Sequence, residues 1–304
     1  YNIRYIDVKG VRRNGLKTLL KAPFMVARAI VQARAVIKEF KPDVVLGMGG
    51  YASGPGGAAA FLSGIPVVLH EQNAAAGMTN KLLFKIASKV MLGFPGAFAG
   101  EKVSVVGNPV RDSIIALHEK TRDFTHTPVR ISIIGGSLGA RALNELVPLA
   151  LKKFTDDSIL VTHQCGKGNS DKVKALYESA SFKVEATDFI DNMDALYANT
   201  DLIICRAGAL TVAETSTAGI PAIFVPLPTA VDDHQTKNAS VLAKAGAAFV
   251  CKQSSLSADS LYDLVKSLVD DREKLAFMSA KAYECAITDA TEHAVKMIES
   301  VVKD

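Results

Sequence analysis

Arg130-Ile131-Ser132-Ile133-Ile134-Gly135-Gly136-Ser137-Leu138-Gly139-Ala140 is the stretch that decides the fold. Five residues of strand character run into a glycine-rich turn, and a helical stretch, Ala140–Phe154, follows at once. Such a turn presents backbone N–H groups and the positive end of a helix to an anion. Ser137 adds a hydroxyl, and Asn144 lies further along the same helix face, which suits a diphosphate contact. The same residues also read as a tight strand-to-helix turn with Ser137 as N-cap.

Working outward, the pattern repeats. Val44–Met48, Pro66–His70, Lys89–Leu92, Ser104–Val106, Arg130–Ile134, Ile159–His163, Leu202–Cys205, Ile220–Val225 and Ala247–Val250 read as short apolar strands. Helical stretches such as Phe24–Phe40, Asn80–Ala87 and Thr211–Ala218 lie between most of them. Strands alternating with helices imply parallel sheets covered on both faces. Two more strands run directly into glycine-rich turns, at Gly47–Tyr51 and at Arg206–Ala209. Ligands of open α/β sheets sit at the carboxyl ends of strands. The expected architecture is therefore α/β, with two doubly wound domains whose parallel sheets face a cleft. The boundary is expected near Gly107-Asn108-Pro109 or in the polar stretch 118–128. This gives a first domain of residues 1–108, joined by the C-terminal helix of residues 289–304, and a second of residues 109–288.

Composition agrees with a globular two-domain chain. Of 304 residues, 49% are apolar and 22% charged, enough to bury a sizeable core. Val44–Leu69 carries no charge, but its seven glycines and two prolines bar a single membrane-crossing helix. It reads instead as a strand, a glycine-rich loop, a short helix and a second strand. The four cysteines form no metal-ligand or disulfide pattern, so no metal and a reducing compartment are expected. Residues 1–41 hold ten basic and two acidic side chains. With the apolar residues of Leu16–Arg34, they read either as a patch for anionic lipid or as an ordinary basic surface over packed apolar residues. The opening Asn2-Ile3-Arg4-Tyr5-Ile6 reads as a strand, and its abruptness suggests that a segment precedes Tyr1.

The polar motifs each carry two readings. Ala209-Leu210-Thr211-Val212-Ala213-Glu214 follows a strand, so its N–H groups can hold phosphate and Glu214 can accept both hydroxyls of a ribose. Thr211–Glu214 is equally a capping box, which needs no ligand. His234 and Gln235 can bond a sugar, or can belong to a solvated loop that caps a helix. His70-Glu71-Gln72-Asn73 ends a strand with four polar residues, and His70 or Glu71 can transfer protons or be satisfied internally. Gly49–Gly57, including Gly50, Tyr51, Ser53 and Gly54, can cradle a second anion or allow close helix packing. A nicotinamide-dinucleotide fold is disfavoured. The spacing is not GxGxxG, and the strand after it ends at His163-Gln164-Cys165 without a ribose-binding acid.

Together, Pro42–Pro55, His70–Asn73, Gly107-Asn108-Pro109-Val110-Arg111, Gly135–Arg141 and Arg206–Glu214 resemble, in order and spacing, the MurG family. These are the bacterial N-acetylglucosaminyltransferases of peptidoglycan synthesis. The resemblance implies a GT-B fold and transfer of GlcNAc from UDP-GlcNAc to the C4 hydroxyl of the muramoyl sugar of lipid I, giving lipid II with inversion. It places Ser137 at the diphosphate, Ile190 at the uracil through its backbone, Ala209 to Glu214 along the nucleotide with Glu214 on the ribose, and His234 or Gln235 at the donor sugar. Asn73 and Arg111 fall at substrate positions, and the glycines around Tyr51 face the acceptor. The resemblance further implies a peripheral enzyme on the cytoplasmic leaflet, with no cofactor and no nucleic-acid partner. The family's first glycine-rich loop, with a histidine proposed as base, has no counterpart here, so the base is expected upstream of Tyr1. A UDP-sugar-binding module without turnover, a glycolipid galactosyltransferase or a UDP-GlcNAc epimerase are the alternatives.

Overall fold

The computed structural model describes residues 2–8, 15–118, 120–136 and 139–302, with backbone alone for residues 15–21. The chain divides into two compact units, Tyr1–Asn108 with Asp289–Asp304, and Pro109–Thr288.

The first unit runs α1 (Gly15–Phe40), β1 (Val45–Gly47), α2 (Gly50–Leu62), β2 (Val67–Glu71), α3 (Met78–Leu83), β3 (Lys89–Leu92) and β4 (Val103–Val105). The strands form one parallel sheet in the order β1-β2-β3-β4. Every residue of β2 is buried, as an unbroken apolar run requires when both sheet faces are covered. Val67 and Leu69 pack with Ala33, Ile37, Ala59, Ala60 and Leu83 from the helices.

The second unit runs α4 (Asp112–His118), β5 (Val129–Ile134), α5 (Arg141–Leu151), β6 (Ile159–Gln164), α6 (Ser170–Leu176), β7 (Lys183–Thr187), α7 (Met193–Ala198), β8 (Leu202–Cys205), α8 (Ala209–Thr217), β9 (Ala222–Phe224), α9 (His234–Lys244), β10 (Ala248–Val250), α10 (Ala258–Val269) and α11 (Arg272–Glu284). Its six parallel strands lie in the order β10-β9-β8-β5-β6-β7. From β5 the chain winds outward through β6 and β7, then returns to lay β8 on the other side of β5 and winds outward again. The sheet therefore reverses direction between β5 and β8, where doubly wound folds open a ligand crevice. The last helix, α12 (Ala290–Glu299), belongs to the first unit and packs Ala294, Met297 and Ile298 on Val68 and Met91.

Several expectations need correction. Asn2–Ile6 is not a strand. Side-chain bonds hold the segment to α1: Arg4 to Glu39, and the Asp7 amide and carboxylate to Gln32 and Arg28. β7 is an unexpected strand. It is a sheet edge bonded only to β6, so only Ala186 is fully buried and its sequence lacks an apolar run. The glycine-rich stretch after Gly49 is not a loop, because α2 starts at Gly50 and includes Tyr51, Ser53 and Gly54. Gly57 explains the composition: a Cβ there would lie 2.9 Å from Leu83 of α3.

Candidate functional site

The two turns flanking the sheet reversal are built differently. After β5, Gly135 and Gly139 are required by close approach. A Cβ on Gly135 would lie 2.5 Å from the Ala140 nitrogen, and one on Gly139, at φ +75°, 2.2 Å from the Cys165 oxygen. The N-cap of α5 is Ala140, without a side-chain cap, which overturns Ser137 as N-cap. Ser137 and Leu138 themselves lie outside the described residues. Asn144, expected on the ligand-facing surface, is buried. Its Nδ2 donates to the Cys165 carbonyl at 2.8 Å and its Oδ1 meets His163 Nε2 at 3.2 Å. Burial drives the His163 pKa down to about 4, so the ring is neutral and also meets the Tyr177 hydroxyl. Asn144 thus ties the turn to the end of β6.

After β8 the connection is three residues long, and α8 begins at Ala209 with Gly208 as N-cap. Thr211 is then inside the helix, so Thr211–Glu214 is not a capping box. Glu214 instead accepts the Tyr197 hydroxyl at 3.0 Å through Oε2, and its Oε1 lies 3.7 Å from the Arg111 guanidinium. The same guanidinium nitrogen lies 3.6 Å from Asp194 Oδ1, too far for a hydrogen bond but within ion-pair range. Burial lifts the Glu214 pKa, opposed by Tyr197 and Arg111, while Asp194 adds to the rise. The Glu214 side chain keeps 20% exposure, so the carboxylate is accessible. Arg206 takes no phosphate-facing position: it braces Val225, Pro226 and Gln253. Asn238, buried, donates to the Ala207 carbonyl and anchors α9 to this turn.

After β9, Asp232 and Asp233 both adopt the left-handed conformation, at φ +54° and +52°, just ahead of α9. Such backbone is costly for non-glycine residues and concentrates at functional sites. His234 meets the Val231 carbonyl through Nδ1 at 2.8 Å. Gln235 Oε1 accepts the Leu227 N–H at 2.9 Å, which turns the amide nitrogen to other partners. Both side chains are half-buried. Ile190, half-buried, follows β7 in the segment leading to α7.

In the first unit the polar residues at the end of β2 and just after it close on one another. His70 is buried, with Nε2 on the Gly107 carbonyl at 2.9 Å and Nδ1 on Gln72 Nε2 at 3.1 Å. Burial lowers its pKa, so it is neutral. Glu71 accepts from the Asn73 backbone and side chain on Oε1, and from the Gly77 backbone and Asn80 on Oε2. His70 and Glu71 are therefore structural, not proton donors or acceptors for a substrate. Asn73 is half-buried beside them, and at the start of α2 Ser53 returns its hydroxyl to the Gly49 carbonyl. Gly50 and Tyr51 open that helix, Tyr51 exposed, and a Cβ on Gly54 would touch Thr79.

The second unit thus brings together the turn before α5, Ala209–Glu214, Arg111 and, through Asn238, the start of α9. Sequence reasoning missed Tyr197, Asp194 and Asn238. Tyr197 and Asp194 lie on a different helix from Glu214, and no spacing rule links them. Among the described residues no grouping of three or more His, Cys, Asp or Glu can hold a metal ion.

Comparison with known proteins places this geometry. A model of the glycosyltransferase family 28 C-terminal domain matches residues 130–298, and one of that family's N-terminal domain matches residues 1–92. A protein of Aeromonas hydrophila is 53% identical over 96% of this chain and 81% of its own length. One of Shewanella violacea is 52% identical over 100% of this chain and 85% of its own. Both are named UDP-N-acetylglucosamine–N-acetylmuramyl-(pentapeptide) pyrophosphoryl-undecaprenol N-acetylglucosamine transferase. The crystal structure of Acinetobacter baumannii MurG superposes with a TM-score of 0.84 at 43% identity, over 98% of this chain and 85% of that one. The fold is accordingly GT-B.

Proposed function

The chain belongs to glycosyltransferase family 28, and we propose that it transfers GlcNAc from UDP-GlcNAc to the C4 hydroxyl of MurNAc in lipid I, forming lipid II with inversion. One observation carries the donor half: the β5 and β8 turns flank the sheet reversal, and Glu214 stands in the helix after the second with its carboxylate still accessible. A nucleoside diphosphate suits that arrangement. Its phosphates meet the N–H groups at the starts of α5 and α8 and the cation of Arg111, and its ribose hydroxyls donate to Glu214. We assign Ser137 to the diphosphate, the Ile190 backbone to the uracil, Ala209–Glu214 to the nucleotide, and His234 or Gln235 to the sugar. The second unit is then the donor domain, and the first, with Asn73 and the start of α2, the acceptor domain.

The reaction is a direct displacement. The C4 oxygen forms a bond to the anomeric carbon, the bond to the diphosphate breaks, and UDP leaves with the electron pair. The developing diphosphate charge is met by fixed N–H dipoles, which need no reorganisation in the transition state. A general base takes the hydroxyl proton, and the internal bonds of His70 and Glu71 argue against either in that role.

A membrane-borne acceptor calls for a surface that touches lipid. Helices α1, α2 and α3 expose Phe24, Phe61, Leu62 and Leu82, with Lys81 and Lys85 nearby on α3 and after it. Aromatic and aliphatic side chains with cations suit an anionic leaflet, and we place the enzyme on the cytoplasmic face of the membrane. Arg12, Arg13, Lys17 and Lys21 lie outside the residues whose side chains are described. No helix among the described residues is long and apolar enough to cross a membrane.

The test is transfer of labelled GlcNAc from UDP-GlcNAc to a lipid I analogue. A lipid II product is expected. UDP binding without product would leave a binding module, and faster use of UDP-galactose would favour a galactosyltransferase.

A further inference from the structure

Glu214 is held by Tyr197, whose hydroxyl has no other hydrogen bond among the described residues. Tyr197 is 1% exposed, and its hydroxyl reaches from α7 to donate to Glu214 Oε2 on α8 at 3.0 Å. We infer that Tyr197 is a positioning residue for the donor: its phenol fixes the Glu214 carboxylate so that the remaining lone pairs point outward to the ribose diol. This rests on the ribose reading proposed above.

Three observations support it. First, the two helices are locked before any ligand arrives. Arg122 donates at 2.6 Å to each of the carbonyls of Tyr197, Thr200 and Ala218, the ends of α7 and α8, and His118 meets the Thr217 carbonyl at 3.2 Å. The phenol and the carboxylate therefore start from fixed backbones, and no rotamer search remains on binding. Second, the phenol keeps its proton and so has one to donate. Burial, reinforced by Glu214, holds its pKa well above the ordinary tyrosine value. A carboxylate offers about four lone-pair sites, so one bond to Tyr197 leaves enough for two ribose hydroxyls. Third, among the described residues no other side chain hydrogen-bonds the carboxylate. Arg111 stands beyond hydrogen-bond distance and is shared with Asp194, whose like charge opposes ionised Glu214.

The experiment compares UDP with 2′,3′-dideoxy-UDP by calorimetry on the full chain and on Tyr197→Phe, Glu214→Ala and the double variant. Tyr197→Phe removes one oxygen and keeps the ring, so the helix packing survives. Wild type is expected to prefer UDP by roughly a hundredfold or more, as two charge-assisted hydrogen bonds of about 1.5 kcal/mol each imply. Tyr197→Phe should cut that preference about fivefold by weakening UDP alone. In the Glu214→Ala background the second substitution should change nothing. A merely structural Tyr197 would weaken both ligands together and leave their ratio intact, and that result overturns the inference. Absence of any preference in wild type overturns the ribose reading itself. A pH series adds a second readout. The charged and titratable groups facing Glu214 are Arg111, Asp194 and Tyr197. Loss of the Tyr197 donor should move the acid limb of UDP binding to higher pH, and an unmoved limb counts against the inference.

Discussion

Two polar clusters stand at strand ends of parallel sheets, one in each unit, and they have been put to opposite uses. At the end of β2, Glu71 is 3% exposed and its carboxylate takes four N–H donors from the following loop and α3, while both nitrogens of His70 are engaged. After β8, Glu214 takes one hydrogen bond among the described residues, and its side chain keeps 20% exposure. Both are glutamates near a glycine-rich turn. The difference lies in how many partners the fold supplies, since a saturated buried carboxylate has nothing left for a ligand. An under-supplied one, lifted in pKa by burial and poised beside a cation, is left for something the chain does not contain.

The comparison breaks most sharply at Glu71. Replacing it with Gln puts an NH₂ group against donors that need an acceptor. We expect a loss of about 3 kcal/mol or more in chemical denaturation. A loss below about 1 kcal/mol would mean that the cluster is not the knot described. Arg111→Ala should act oppositely: UDP affinity falls roughly tenfold at low salt, and thermal stability is nearly unchanged because the side chain is half exposed and its ion pairs are long. A loss that does not shrink as salt rises would argue against an ionic contact.

Acidification sharpens the same contrast. The folded pKa of Glu214 is raised, so folding favours its protonated form, and its contribution to stability is present at low pH and lost as pH rises through that pKa. Ligand binding needs the ionised form and has the opposite sign. UDP affinity should hold at neutral pH and fall on acidification, with the fall beginning above the ordinary glutamate value of about 4.3. Calorimetric titrations at stepped pH check this, and a fall confined to lower pH would show that Glu214 is not the group responsible. The smallest effects are expected at the sugar. Gln235→Ala or His234→Ala should weaken UDP-GlcNAc about threefold to tenfold and leave UDP unchanged, and whichever does so identifies the contact.

Much of this was legible in the residues. The central strands read as apolar runs because both their faces are buried, as with β2 and β8. The edge strand β7 did not, because Lys183 and Glu185 face solvent and its one interior partner is β6. Asn2–Ile6 has strand composition but is bonded to α1 by side chains, a tertiary choice that local propensity does not encode. The glycines of α2 looked like a loop because two of them, Gly54 and Gly57, serve packing against α3, visible only once Thr79 and Leu83 are in place. At the site, Thr211–Glu214 matched a capping box, yet the three-residue turn after β8 starts the helix at Ala209 and frees Glu214 for another use. Tyr197 was invisible, since it meets Glu214 from a different helix, seventeen residues earlier in the chain.

The most direct measurement is the titration of UDP into wild type and Glu214→Ala, with the melting temperature of both recorded. Loss of a charge-assisted ribose contact of about 1.5–3 kcal/mol should weaken UDP roughly tenfold to hundredfold at an unchanged or slightly higher melting temperature. Equal affinity for UDP in the two proteins would contradict the account, and would return Glu214 to the role that Glu71 plays in the other unit.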